Sequence, residues 1–113
     1  MITIYHNPRC SKSRLGVAYL EEKKVAFNIV KYLEDKFTVK TLSAIITKLN
    51  IKPEQLVRKN EAIWKSDFKG KVLSDTEIIE AMVNYPKLIE RPIVVNINKA
   101  VVARPTEKID SIL

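Results

Sequence analysis

Two short apolar runs, Ile2-Thr3-Ile4-Tyr5 and Val25 to Val30, bracket residues 11–24, and this spacing constrains the fold more than any other feature of the chain. In the stretch between them, Leu15, Ala18 and Tyr19 mark the apolar side of a helix. A strand, a helix and a second strand of these lengths close as a βαβ unit. Its strands run parallel and its crossover is right-handed, because a twisted strand feeding a right-handed helix packs back onto the sheet only that way.

Val39, Leu42, Ile45, Ile46 and Leu49 then recur at helical spacing, which predicts a helix over 38–49. Pro53 suits the first position of a further short helix carrying Leu56, Val57 and Arg58. Trp64 to Lys71 reads as a loop turned at Gly70. Ser74 and Glu77 stand three apart ahead of Ile78, Ile79, Met82 and Val83, the pattern of a capping box, and that helix stops before Pro86. Ile93 to Ile97 and Ala100 to Ala103 read as an antiparallel hairpin around Asn98-Lys99, with Thr106 capping a last short helix that carries Ile109. The expected class is α/β. A parallel pair extended by the hairpin gives a thioredoxin-like fold: a mixed four-stranded sheet with flanking helices and a helical insertion between the βαβ unit and the C-terminal β-hairpin. With 113 residues and 46% hydrophobic content, one domain over 1–113 is expected.

The first β-to-α turn holds the only cysteine, in His6-Asn7-Pro8-Arg9-Cys10-Ser11-Lys12-Ser13-Arg14. The thiol falls where the helix begins. There it faces unpaired backbone N–H groups and the positive end of the helix dipole, both of which favour thiolate. Arg9 and Arg14 flank it and push the same way. Free cysteines are in general small buried hydrophobes, but these neighbours are Pro, Arg, Ser and Lys, so Cys10 reads as a nucleophile. One cysteine excludes an intrachain disulfide and a cysteine-based zinc site, and no metal is expected.

The net charge of +7 comes from fifteen lysines scattered as a solvated face and five arginines that are not scattered. Two arginines flank Cys10; Arg58, Arg91 and Arg104 stand in separate segments. A guanidinium offers a planar fork of donors matched to oxyanions. The aromatics are few and not interleaved with basic residues, which argues against nucleic-acid binding. No apolar run reaches the ~20 residues of a membrane span. The N-terminus lacks the charged and apolar regions of a leader, so a cytoplasmic location is expected.

The cysteine string closely resembles the glutaredoxin-coupled arsenate reductase family (ArsC-type). So do Leu56-Val57-Arg58-Lys59-Asn60, Glu90-Arg91-Pro92-Ile93-Val94-Val95 and Arg104-Pro105-Thr106-Glu107, in the family's order and over essentially the whole chain. The resemblance implies that Cys10 is the nucleophile and that Arg58, Arg91 and Arg104 hold the oxyanion. It implies no bound cofactor, glutathione as co-substrate and glutaredoxin as partner. The course the resemblance implies is that Cys10 attacks arsenate and water leaves, glutathione attacks the adduct, glutaredoxin clears the mixed disulfide, and arsenite departs. His6, Ser13, Arg14 and Pro92 take supporting places. Ser13 stands where a CxxC pair has its second cysteine, and its hydroxyl either bonds the thiolate or satisfies its own helix backbone. His6, the only histidine, is read as structural or as tuning the field rather than transferring a proton. Arg9 and Lys12 shape the local field. Pro92 is expected cis opposite the thiol, turning Arg91 toward Cys10.

At 113 residues, the chain is expected to group with short YfgD/YffB-like members, which it resembles, rather than with the best-known arsenate reductases and their long C-terminal extension. One alternative is a thiol oxidoreductase of the same family acting on another substrate, which needs Cys10 but not the three arginines. Another is an Spx-like regulator binding RNA polymerase; such regulators typically carry CxxC, against Ser13 here.

Overall fold

In the computed structural model, which describes residues 1–113, β1 (Ile2–Tyr5), β2 (Phe27–Val30), β3 (Ile93–Asn96) and β4 (Lys99–Val102) form one sheet in the order β2-β1-β3-β4. β1 runs parallel to β2 and antiparallel to β3, and β3 and β4 are an antiparallel hairpin. This is the mixed, thioredoxin-like sheet expected from the order of elements. The chain forms two compact units, Met1–Asp35 with Arg91–Leu113, and Lys36–Glu90.

The first unit contains the whole sheet, α1 (Ser11–Glu22) and a 3₁₀ helix, Thr106–Ile112. Ile2 and Ile4 project to one face of β1 and pack with Leu20, Val94, Ile109 and Ile112. α1 buries Ser13, Gly16 and Leu20, while Leu15 is 51% exposed and Ala18 also faces out. The face expected from Leu15 and Ala18 is therefore the wrong one. Close approach decides it: a Cβ on Gly16 would lie 3.0 Å from Cγ of Pro92 and 3.1 Å from Cδ1 of Ile4, so a residue without a side chain sets the contact. β2 begins at Phe27 rather than Val25. Asn96 pairs with Lys99, so the hairpin turns on Ile97-Asn98, one residue earlier than expected, with Ile97 at φ +57°. Thr106 opens the last helix instead of capping it; Pro105 precedes it and no side chain closes that end.

The second unit is helical. Thr38 and Thr41 form a capping box at the start of α2 (Val39–Leu49), and Asn50 ends that helix in the left-handed conformation. Leu42, Ile45 and Ile46 are buried, and α2 packs against α4 (Asp75–Asn84). The box of Ser74 and Glu77 opens α4 as the spacing predicts. Pro53 starts a 3₁₀ turn that ends at Leu56. Val57 and Arg58 are not helical; Val57 bridges Ile89, the Arg58 amide donates to the Leu88 carbonyl at 2.7 Å, and the Glu90 amide to that of Leu56 at 2.9 Å. The stretch from Trp64 is not all loop, because α3 (Ala62–Asp67) includes it. Trp64 is buried and stacks on Phe68 with centroids 5.5 Å apart. Indole burial supplies what so short a helix cannot draw from its own hydrogen bonds. No helix of the chain is long and apolar enough to cross a membrane.

Candidate active site

β1 delivers the chain into a loop bonded from both sides. The His6 amide extends the parallel ladder by donating to the Val30 carbonyl at 2.8 Å. The Asn7 side-chain oxygen accepts from the Arg9 amide at 3.0 Å, and the Asn7 carbonyl accepts from the Cys10 amide at 3.0 Å. Ser13 Oγ accepts from the Asn7 amide at 2.9 Å and shares a proton with Nδ1 of His6 at 2.6 Å, all in buried surroundings. Outside, the Arg14 guanidinium donates to the Pro8 carbonyl at 2.8 Å. Cys10 is the N-cap of α1, in an extended conformation, with no side-chain cap and no acidic residue in the first turn.

The half-buried thiol ionises below the usual cysteine range. Burial alone pushes it up, but hydrogen bonds from the Ser13 amide, the Arg91 guanidinium and the Lys12 amide, with the charge of Arg91, together outweigh that cost. Arg91 is held in turn. Burial pushes the guanidinium down, while the thiolate of Cys10 and the hydroxyl of Tyr32 raise it above the usual arginine value. Its Nε is buried and meets no acceptor, a donor that a tetrahedral oxyanion can satisfy. His6 is pushed below its usual value by burial, then by the charge of Lys31 and that of Arg14, against the hydrogen bond its ring makes to the Ser13 backbone. A neutral imidazole bonded to Ser13 is a brace for the loop.

Register places two of the three expected oxyanion arginines. Ile93 pairs with Tyr5 on one side and with Val102 on the other, and the Ala103 amide donates to the Pro92 carbonyl at 2.9 Å. Arg91 and Arg104 thus stand at one end of the sheet, where β1 exits toward Cys10. The Arg91–Pro92 bond is cis, as expected, and so is Arg104–Pro105, which was not anticipated. Arg58 belongs to the second unit, where its guanidinium pairs with Glu61 at 3.4 Å. A cleft of about 410 Å³ in that unit, lined by Trp64, Phe68 and several lysines, carries no nucleophile. No group of three His, Cys, Asp or Glu gathers to hold a metal ion.

The model of the ArsC family matches residues 5–112. The chain belongs to the ArsC family. It is 40% identical over 114 residues to an arsenate reductase of Haemophilus influenzae, covering 99% of this chain and 98% of that one. It is 41% identical to the uncharacterized protein YfgD of Escherichia coli, covering 96% of this chain and 92% of that one. The solved structure of an arsenate reductase from Vibrio cholerae, 40% identical, superposes with a TM-score of 0.95 over 99% of this chain and 97% of that one.

Against the sequence reading of this ArsC-family chain, three placements differ. The guanidinium acting on the thiol is Arg91, not the flanking Arg9 or Arg14; Arg14 closes the loop through Pro8. The Ser13 hydroxyl is taken by His6 and Asn7, and it is the Ser13 amide that faces the thiol. Tyr32 was missed. It is 1% exposed and lies two residues beyond β2, as Arg91 lies two before β3, so the pair flank the exit of β1. Its signal was an aromatic amid Lys31, Glu34 and Asp35 just past a strand end, a place where an exposed turn would carry a polar residue.

Proposed function

We propose that the chain is an arsenate reductase using Cys10 as its single nucleophile, glutathione as co-substrate and glutaredoxin as the protein that regenerates it. The observation carrying this reading is a thiol lowered by two helix amides and Arg91 in a chain 40% identical to an arsenate reductase. In the first step the thiolate forms a sulfur–arsenic bond to dihydrogen arsenate, and one arsenate oxygen leaves as water with both of the oxyanion's protons. In the second, glutathione forms a disulfide with Cys10. The sulfur–arsenic bond breaks with its electron pair left on arsenic, and the thiol proton goes to the departing arsenite. Two thiols thus supply the two electrons that take As(V) to As(III). A second thiol must come from outside, since Cys10 is the only cysteine.

Arg91 and Arg104 are assigned to the oxyanion because a fork of charged donors neutralises the charge that builds on arsenic's oxygens. Arg58 is assigned with them on the family resemblance. A glutaredoxin-coupled assay of arsenate-dependent glutathione oxidation tests the reading. Turnover that disappears in Cys10→Ser supports it; a wild-type protein inert toward arsenate while its thiol stays reactive overturns the substrate and leaves a family thiol oxidoreductase of another specificity.

A further inference from the structure

A cleft of about 410 Å³, within the usual range of small-ligand sites, opens in the first unit between Asn7-Pro8-Arg9, which leads directly into Cys10, and Lys31, Leu33 and Glu34, which follow β2. Its walls are held in place. The Asn7 side chain accepts from the Arg9 amide, Arg14 ties the Pro8 carbonyl, and the Lys31 carbonyl accepts from the amides of Glu34 at 3.0 Å and Asp35 at 2.9 Å. Tyr32 turns inward between Lys31 and Leu33, which leaves those two side chains to the cleft.

The charges of the cleft are two cations, Arg9 and Lys31, and one carboxylate, Glu34, over an apolar floor of Pro8 and Leu33. None of the three is joined in an ion pair within the chain. A ligand complementary to that pattern carries two carboxylates and one ammonium on a short flexible body, which is the charge pattern of glutathione. We propose that this cleft seats the thiol co-substrate, with Arg9 and Lys31 holding its carboxylates and Glu34 its ammonium, on the loop that leads into Cys10. The proposal rests on the reading of Cys10 as the nucleophile of a thiol-dependent reductase. It explains why an exposed arginine and an exposed lysine stand next to a thiolate whose own ionisation owes nothing to either.

The test is an NMR titration of the intact protein with S-methylglutathione, which keeps all three charges and cannot react. Saturable amide shifts are expected at Asn7, Arg9 and Lys31 to Glu34. The double variant Arg9→Gln/Lys31→Gln should weaken binding about tenfold or more, the size expected for losing charge-assisted contacts. Both side chains are exposed, so the variant should keep its fold. Shifts confined to other segments, or an unchanged affinity in the double variant, would overturn the cleft. Arsenate takes no part in the titration. A chain that binds the probe here but fails to reduce arsenate keeps the cleft and loses the substrate; a chain that reduces arsenate without these shifts loses the cleft alone.

Discussion

At the start of α4 the Ser74 hydroxyl accepts from the Glu77 amide at 3.2 Å, the Glu77 carboxylate accepts from the Ser74 amide at 3.0 Å, and Asp75 adds charge to the first turn. At the start of α1 none of this is present: Cys10 offers no cap, no acid stands in the first turn, and the amides of Lys12 and Ser13 point at a thiol. Both ends present the same orphan donors and the same partial positive charge. α4 closes its end with oxygen and gains stability, by about 1 kcal/mol for such a cap. α1 forgoes the cap and turns the same donors toward the Cys10 sulfur, which lowers the thiol's pKa. The contrast separates a helix terminus used for folding from one kept for chemistry.

Cys10→Ser should break the contrast most sharply. Serine is a good N-cap, so α1 would come to resemble α4: turnover should vanish while thermal stability holds or rises by up to ~1 kcal/mol. A coupled assay and a melting curve read both sides, and residual turnover would remove Cys10 from the mechanism. Arg91→Lys keeps the charge but loses the fork, and kcat/KM should fall by about a hundred- to a thousand-fold, as when an oxyanion donor is removed. Tyr32→Phe deletes only the hydroxyl facing Arg91. A fall of about tenfold in kcat/KM, with the reactivity of Cys10 moved to higher pH, is expected from the loss of one hydrogen-bonding group beside a charge. Unchanged kinetics would make Tyr32 a core residue only.

Smaller effects fall on stability. Gly16→Ala gains helix propensity, but its methyl would meet Pro92 at 3.0 Å and Ile4 at 3.1 Å, both fully buried, so that these neighbours must shift. A net loss of roughly 1–2 kcal/mol in a denaturant titration is expected. Ser74→Ala should cost about 1 kcal/mol and leave turnover alone, since that cap belongs to folding. A Ser74→Ala variant that loses activity without losing stability would blur the distinction between the two helix ends.

Much of this was legible in the chain because it is written locally. The Ser74–Glu77 box, the helix from Val39 to Leu49 and the placement of Cys10 at the start of α1 depend on a few adjacent residues, and the structure has them where the spacing puts them. What escaped depends on contacts made across the fold. Leu15 looks apolar and is exposed, because α1 approaches the sheet through Gly16. α3 has too few residues to show a period and exists because Trp64 is buried against Phe68. Arg91 reaches the thiol as expected, but Arg9 and Arg14, adjacent to it in sequence, do not lower it, and Arg14 is spent on the Pro8 carbonyl. Tyr32 and the bond between His6 and Ser13 lie beyond a motif reading for the same reason.

The most direct measurement is the rate of Cys10 alkylation by iodoacetamide as a function of pH, in the wild type and in Arg91→Lys. The folded thiol ionises below an unfolded one, so its ionisation contributes stability that is complete above the unfolded value and is lost as pH falls through the folded value. Reactivity should follow the same group, rising through an inflection below the ordinary cysteine range and moving upward in the variant. An inflection at or above the ordinary range, unmoved by the loss of the Arg91 fork, would mean that the open end of α1 does not hold a thiolate.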